Sequence, residues 1–259
     1  MSTAAQEANV SAALAATVST LFECIRHEHT FLTLESTKDD KRFVMPYQKT
    51  YIFDGAYINQ SHHRLALSRM HDHANIINIG IDGWLLLADA MKLYELAYFC
   101  SGDIIELGTY KGLSTSIMAE ASRDSGREFE IITVDLDTQH SADAKLGMTC
   151  RRTPGRENVH FFAYDAIQFV KNTAKAGRLY ELAFIDDSHR YEHVYDTCVD
   201  LHRILVPRAF ALFHDYNDPR NAHPDAADYG VYQAVHAGLS KDYFEFWGVY
   251  GCCGLFRRK

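Results

Sequence analysis

No stretch of the 259-residue chain carries the roughly 18 consecutive apolar residues expected of a membrane span: the run from Trp84 to Ala88 is soon broken by Asp89, Lys92 and Glu95. No lysine or arginine precedes Arg26, so the positive start of a secretory signal is missing. Basic residues are outnumbered, 26 Lys plus Arg against 34 Asp plus Glu, and the net charge of -8 argues against a nucleic acid held by phosphate neutralisation. The short clusters Arg151-Arg152 and Arg257-Arg258-Lys259 read as solvated surface. Six cysteines, at 24, 100, 150, 198, 252 and 253, show neither paired zinc spacing nor a small disulfide framework. The expectation is a soluble cytoplasmic chain with free thiols, no membrane partner and no nucleic-acid partner.

Two nucleotide signatures are also missing, and their absence is visible within one stretch, Asp103 to Thr115. Ile104, Ile105 and Leu107 read as a buried parallel strand, Gly108 and Gly112 permit a tight turn, and Leu113, Ile117, Met118 and Ala121 begin a helix. A dinucleotide site needs glycine where Tyr110 stands. A P-loop needs Gly-Lys followed by Ser or Thr, yet Lys111 precedes Gly112 and Leu113 follows it. In an open α/β sheet the ligand lies outside the carboxyl ends of the strands. The turn residues Gly108, Thr109, Gly112 and Ser114 are therefore the first candidates for cofactor contact.

The remaining pattern alternates strands and helices. Val10, Leu14, Val18, Leu21, Phe22 and Ile25 form a helical stripe over Ala4 to His29, and a second helix is expected over Trp84 to Tyr98. Residues 30 to 82 show no regular period and suit a lid, a substrate wall or a dimer contact. Within them His62-His63 and His71-Asp72-His73 lack helical metal-ligand spacing and read as surface histidines. Strands are expected at 130–135, 159–164, 182–185, 209–213, 244–250 and 254–257. Asp135, 23 residues after Gly112, stands near the spacing at which an acid accepts bonds from ribose hydroxyls in nucleoside-binding folds; a strand-end cap is the alternative. Asp165 precedes another helix and suits its N-cap. The fourth strand runs into Asp186-Asp187-Ser188-His189-Arg190-Tyr191-Glu192 and the fifth into His214-Asp215-Tyr216, so acids and histidines gather at the edge that also carries the glycine turn.

Glu106-x-Gly108-x-x-x-Gly112 resembles motif I of the class I S-adenosylmethionine-dependent methyltransferases. Ile185-Asp186, Ser188-His189, Tyr191-Glu192 and His214-Asp215-Tyr216 resemble the fourth and fifth strand ends of its small-molecule O-methyltransferase-like branch. With Asp135 these matches run in the family's order over about residues 100 to 250. Asp187 replaces the usual glycine, and Val206-Pro207-Arg208-Ala209 replaces a Pro-Gly-Gly turn before strand five.

The resemblance implies a Rossmann-like, mostly parallel seven-stranded sheet with an antiparallel last strand, residues 101–259 forming the S-adenosylmethionine domain and residues 1–100 a helical extension or lid. Cofactor contacts are expected from Glu106, Gly108, Thr109, Gly112, Ser114, Asp135, Asp165 and Asp186, Asp165 facing the adenine amine. Sugar-modifying members of the branch hold magnesium with acids at the two strand ends; carried over, the ligands are Asp186, His214 and Asp215. The histidine weakens the case for magnesium or moves it toward manganese. For a hydroxyl acceptor, His189 is the first choice of general base, His214 the second and Asp187 the third, since an ordinary imidazole titrates near pH 6.5. The expected activity is methyl transfer to a hydroxyl of a small polar molecule, sugar or natural product, by a homo-oligomer. The alternatives are N-methylation of a small amine, a non-catalytic S-adenosylmethionine-binding regulator and a nicotinamide-dependent oxidoreductase.

Overall fold

A computed structural model describes residues 49–51, 58, 69–71, 76–127, 129–223, 225–226 and 228–259. The expected helix over Ala4 to His29, the pair His62-His63 and the Asp72-His73 dipeptide lie outside these residues. A two-stranded antiparallel ribbon pairs β1 (Arg69–His71) with β2 (Ile76–Asn78). The chain then enters α1 (Leu87–Phe99), β3 (Ile104–Leu107), α2 (Leu113–Ser125), β4 (Ile131–Asp135), α3 (Thr138–Arg151) and β5 (Val159–Ala163). It continues through α4 (Ala166–Ala176), β6 (Tyr180–Ile185), α5 (Tyr191–Leu201), β7 (Leu205–Phe213), α6 (Val231–Gly238), β8 (Phe244–Tyr250) and β9 (Cys253–Arg258).

The seven strands from β3 onward form one sheet in the order β5-β4-β3-β6-β7-β9-β8, all parallel except β9, which runs antiparallel to both β7 and β8. This is the expected Rossmann-like arrangement. The strand order reverses between β3 and β6, so the crevice of the sheet opens beside the Gly108 turn.

Alternation along the strands decides the two layers. Ile104, Ile131, Leu182 and Leu212 pack in one core with Leu93 and Ala97 of α1, Ile117 and Met118 of α2 and Met148 of α3. Ile105, Ile132, Ala183 and Ala211 pack in the other with Val170, Val194 and Val235 of α4, α5 and α6. Thus α1, although it precedes residue 100, shares its core with the central strand. The buried Lys92 ammonium lies 3.1 Å from Glu95 Oε2, donates to Thr50 Oγ1 at 2.7 Å, and sits over the Tyr250 ring. That network ties α1 to β8 and to the short stretch around Thr50.

Three local features differ from expectation. Helix α1 starts three residues late because the Asp89 carboxylate accepts the Leu86 N–H, leaving Trp84 to Leu86 as an extended lead-in. Helix α3 escapes a periodicity search because only Ser141, Ala144 and Met148 are buried along it. The stretch Val206 to Ala209 lies inside β7, where a register shift against β6 accompanies a left-handed Arg208. It is an irregularity of the strand, not a turn before it.

Candidate active site

The turn after β3 is built by backbone geometry. Gly108 has φ +96°, and a Cβ there would lie 2.2 Å from the Asp186 carbonyl oxygen. Its N–H donates to Val134 O, and Asp186 N donates to Leu107 O, both at 2.8 Å. The ends of β4, β3 and β6 are thereby held edge to edge with no side chain between β3 and β6. The Asp135 carboxylate organises the same turn: Oδ2 accepts Thr109 N at 3.0 Å and Tyr110 N at 2.9 Å, and Oδ1 accepts Asp137 N at 2.9 Å. His140 Nδ1 lies 3.1 Å from both oxygens. Asp135 reaches the cleft but first serves the loop that forms its wall.

A cleft of about 920 Å³ opens over these strand ends and is lined by Gly108, Thr109, Ser114, Asp135, Asp165, Asp186, Asp187, His189, His214 and Asp215. Two expected cofactor residues do not line it. Glu106 is fully buried; it accepts Ser114 Oγ–H and Thr115 Oγ1–H, both at 2.5 Å, and so pins the first turn of α2 from beneath. Gly112, at φ +82°, caps α2, and a Cβ there would meet Ala144 Cβ at 2.8 Å; its role is close approach of α2 to α3. Asp165 caps α4, accepting Gln168 N at 2.8 Å, and also reaches the cleft.

Burial pushes the Glu106 carboxyl up to about 7, against the pull of its hydroxyl partners. Its folded form therefore binds a proton more tightly than its unfolded form. The resulting stabilisation, on the order of 3 kcal/mol, is complete below about pH 4.5 and is lost as pH rises through 7. Glu106→Gln should accordingly look more favourable, relative to the parent, at pH 8 than at pH 5. Thermal unfolding at the two pH values measures this, and equal differences at both would refute the assignment.

At the ends of β6 and β7 the acids and histidines interlock. His189 Nε2 lies 2.8 Å from Asp215 Oδ2; the imidazole is half exposed and stacks on Tyr229 at 4.8 Å, while Asp215 is buried and takes a left-handed φ of +55°. His214 is buried: its Nδ1 is 3.1 Å from Asp186 Oδ1 and 3.3 Å from Asp215 Oδ2, and its Nε2 is 3.6 Å from Asp89 Oδ2 on α1. Burial alone would depress His214, but the Asp186 and Asp215 carboxylates outweigh it and hold the ring well above the usual imidazole range. Asp215 is held well below the usual carboxylate range, burial notwithstanding, by His214 and by the hydrogen bond from His189. This bond to Asp215 also raises His189. Asp187, expected among these groups, turns elsewhere: its Oδ2 lies 2.6 Å from His193 Nε2 on α5.

Several residues in or behind the cleft carried no sequence signal that singled them out. Asp89 registered only as a break in an apolar run, yet it accepts Cys252 N at 2.7 Å and faces His214. His193 follows the matched strand-end segment by one residue. Trp84 and Leu136 line the cleft while largely exposed, at 73% and 76%.

Comparison with known proteins identifies the central part of the chain. Residues 105–216 match the family described as "Methyltransferase domain". Residues 105–216 thus form a methyltransferase domain. The matched span runs from the second residue of the central strand through the His214-Asp215-Tyr216 end of β7, and so contains both halves of the site. Among solved structures, the chain is similar to the Bacillus cereus O-methyltransferase in complex with SAH, with a TM-score of 0.53, 14% identity and coverage of 80% of this chain and 93% of that one. It is also similar to the O-methyltransferase TomG of Streptomyces achromogenes, involved in tomaymycin synthesis and solved with SAM, with a TM-score of 0.52, 17% identity and coverage of 85% and 95%. At these identities the likeness is one of fold. No curated protein sequence matches the chain. Among the described residues no helix is long and apolar enough to cross a membrane.

Proposed function

We propose that this methyltransferase moves a methyl group to a hydroxyl of a small polar molecule, of sugar or natural-product type, with His189 as the general base. The observation that carries the reading is the His189–Asp215 pair, which opens on the same cleft as the Gly108 turn. S-adenosylmethionine, when bound, supplies an electrophilic methyl on a cationic sulfur. The cleft suits it: the Gly108 turn leaves backbone uncovered, and Asp135, Asp165, Asp186 and Asp187 give the edge a negative potential.

The chain's own contribution is alignment and proton transfer. Alignment of the acceptor oxygen, the methyl carbon and the sulfur can supply roughly 7–11 kcal/mol. The Nε2–H of His189 donates to Asp215, which selects the tautomer whose Nδ1 lone pair is free to take the acceptor's hydroxyl proton. As that proton arrives, the Asp215 carboxylate stabilises the imidazolium. His214 beneath them fixes the positions of Asp186 and Asp215 through Nδ1.

A divalent ion held by Asp186, His214 and Asp215 fits this donor set poorly. The His214 ring itself stands between the two carboxylates where a cation would sit, its Nδ1 3.1 Å from Asp186 Oδ1 and 3.3 Å from Asp215 Oδ2. Asp186, His189 and Asp215 do bring donor atoms within 4.8 Å of one another, but His189 is already bonded to Asp215. Activity should therefore survive excess EDTA and gain less than about twofold from added magnesium or manganese. Loss of activity in chelator, restored by either ion, would reverse this reading.

The function itself is tested by incubating the protein with S-adenosylmethionine and a panel of pyranosides, phenols, polyketide alcohols and small amines, and following release of S-adenosylhomocysteine. Turnover of hydroxyl acceptors, abolished in His189→Ala, is expected. Turnover of amines alone would replace the reading by N-methylation. Cofactor binding without turnover of any acceptor would favour a regulator.

A further inference from the structure

Asp187 and His193 form a second carboxylate–histidine pair in the cleft, apart from the pair at His189. The Nε2–H of His193 donates to Asp187 Oδ2 at 2.6 Å, while the Asp187 side chain is 7% exposed and its Oδ1 is buried with no hydrogen-bond partner. His193 itself is 29% exposed and lines the cleft, and its Nδ1 has no partner among the described residues. Burying a carboxylate with one oxygen unsatisfied is costly. The pair thus holds the imidazole of a cleft-lining residue in one orientation, with Nε2 engaged and Nδ1 left without a partner among the described residues.

What meets that nitrogen follows from the order of the strand ends. If the reactive methyl is aimed at His189 and Asp215 beyond β6 and β7, and the sugar lies at Asp135 on β4, the base must lie on the far side of the sugar from the sulfur. That side is bounded by Asp165 and Ala166 at the start of α4 and by His193 in the first turn of α5. Leu136, next after Asp135 and 76% exposed in the cleft, gives the same space an apolar wall that a planar ring would cover. We propose that the Asp187–His193 pair reads the cofactor's adenine edge, His193 Nδ1 accepting one N–H of the 6-amino group while a carboxylate oxygen of Asp165 accepts the other. The inference rests on the S-adenosylmethionine reading of the cleft. It gives Asp187, where the family carries glycine, a positioning role: it acts through His193 and not on the acceptor.

Calorimetry with S-adenosylhomocysteine and with its deaminated analogue S-inosylhomocysteine tests the pair. The wild-type protein should prefer the amino compound by at least about tenfold, since the 6-oxo group offers no N–H to either acceptor. His193→Phe keeps a ring in the same place without its nitrogens. It should lose roughly tenfold in affinity for S-adenosylhomocysteine and little for the analogue, so that the preference shrinks. Asp187→Asn, which removes the charge that orients the imidazole, should shrink it in the same direction. Wild-type preference retained in a folded His193→Phe protein, judged by an unchanged melting temperature, overturns the adenine role while leaving the cofactor reading intact. If His193→Phe is unfolded, the Asp187→Asn ratio decides: an unchanged preference overturns the proposal. Failure of the wild-type protein to bind S-adenosylhomocysteine overturns the cofactor reading and this proposal together.

Discussion

Gly108→Ala should bind S-adenosylhomocysteine at least tenfold more weakly than the parent protein and melt about 5–10 °C lower. Two costs combine. At φ +96° an alanine pays for a left-handed backbone, roughly 1–2 kcal/mol, and its Cβ would stand 2.2 Å from Asp186 O and 2.5 Å from Asp186 C. Both are backbone atoms of the residue that directly follows β6, a strand paired on each side, and Asp186 N is itself bonded to Leu107 O, so relief requires β3 and β6 to part where Asp186 enters the cleft. A few kcal/mol of strain corresponds to several degrees for a chain of this size. Gly126→Ala separates the two costs: Gly126 also has a positive φ, +69°, but nothing lies within 4 Å of its would-be Cβ. That variant should lose only about 1 kcal/mol and bind S-adenosylhomocysteine like the parent. Differential scanning fluorimetry and calorimetry measure both effects; parental affinity in Gly108→Ala would remove the turn from the binding site.

The largest kinetic effect is expected from Asp215→Asn, with kcat falling by about 10² to 10⁴ on whichever acceptor the panel identifies. Asparagine keeps the size of the side chain but removes the charge that both imidazoles face. His189 then loses the partner that selects its tautomer, and His214 keeps Asp186 as its nearest carboxylate. The pH dependence carries a sign. Because the Asp215 hydrogen bond raises His189, the acid limb of the parent's profile should lie above the ordinary imidazole value of about 6.5. In Asp215→Asn that limb should move to lower pH even as the maximum rate drops. Since His189 and Asp215 act as one unit, His189→Ala combined with Asp215→Asn should cost little more than either alone. A variant that keeps kcat within threefold of the parent, with an unmoved acid limb, would place the proton transfer elsewhere.

Much of this architecture is legible locally. Strands β3, β4, β6 and β7 announce themselves as short apolar runs, and the positive-φ position at Gly108 as a glycine between a buried strand and a helix. Their order along the chain implies the parallel sheet, and the family resemblance its antiparallel last strand. Helix α3 was less legible because a helix that buries three side chains leaves almost no periodic trace.

The site divides in the same way. Which residues stand at the carboxyl edge is a matter of chain order: Asp135, Asp165, Asp186, Asp187, His189, His214 and Asp215 each end a strand or follow one closely, and all of them reach the cleft. How each is employed depended on partners far along the chain. Glu106 turns inward because Ser114 and Thr115 meet it from α2, and Asp187 leaves the reacting end because His193 on α5 takes its oxygen. Asp89 reaches His214 and Cys252 across 125 and 163 positions of sequence. The sequence by itself determined the sheet, the turn and the gathering of acids and histidines on one edge, because strand alternation and glycine geometry are short-range. Only the tertiary structure decided which carboxylate each histidine meets and which groups are buried, because those depend on partners brought together by packing.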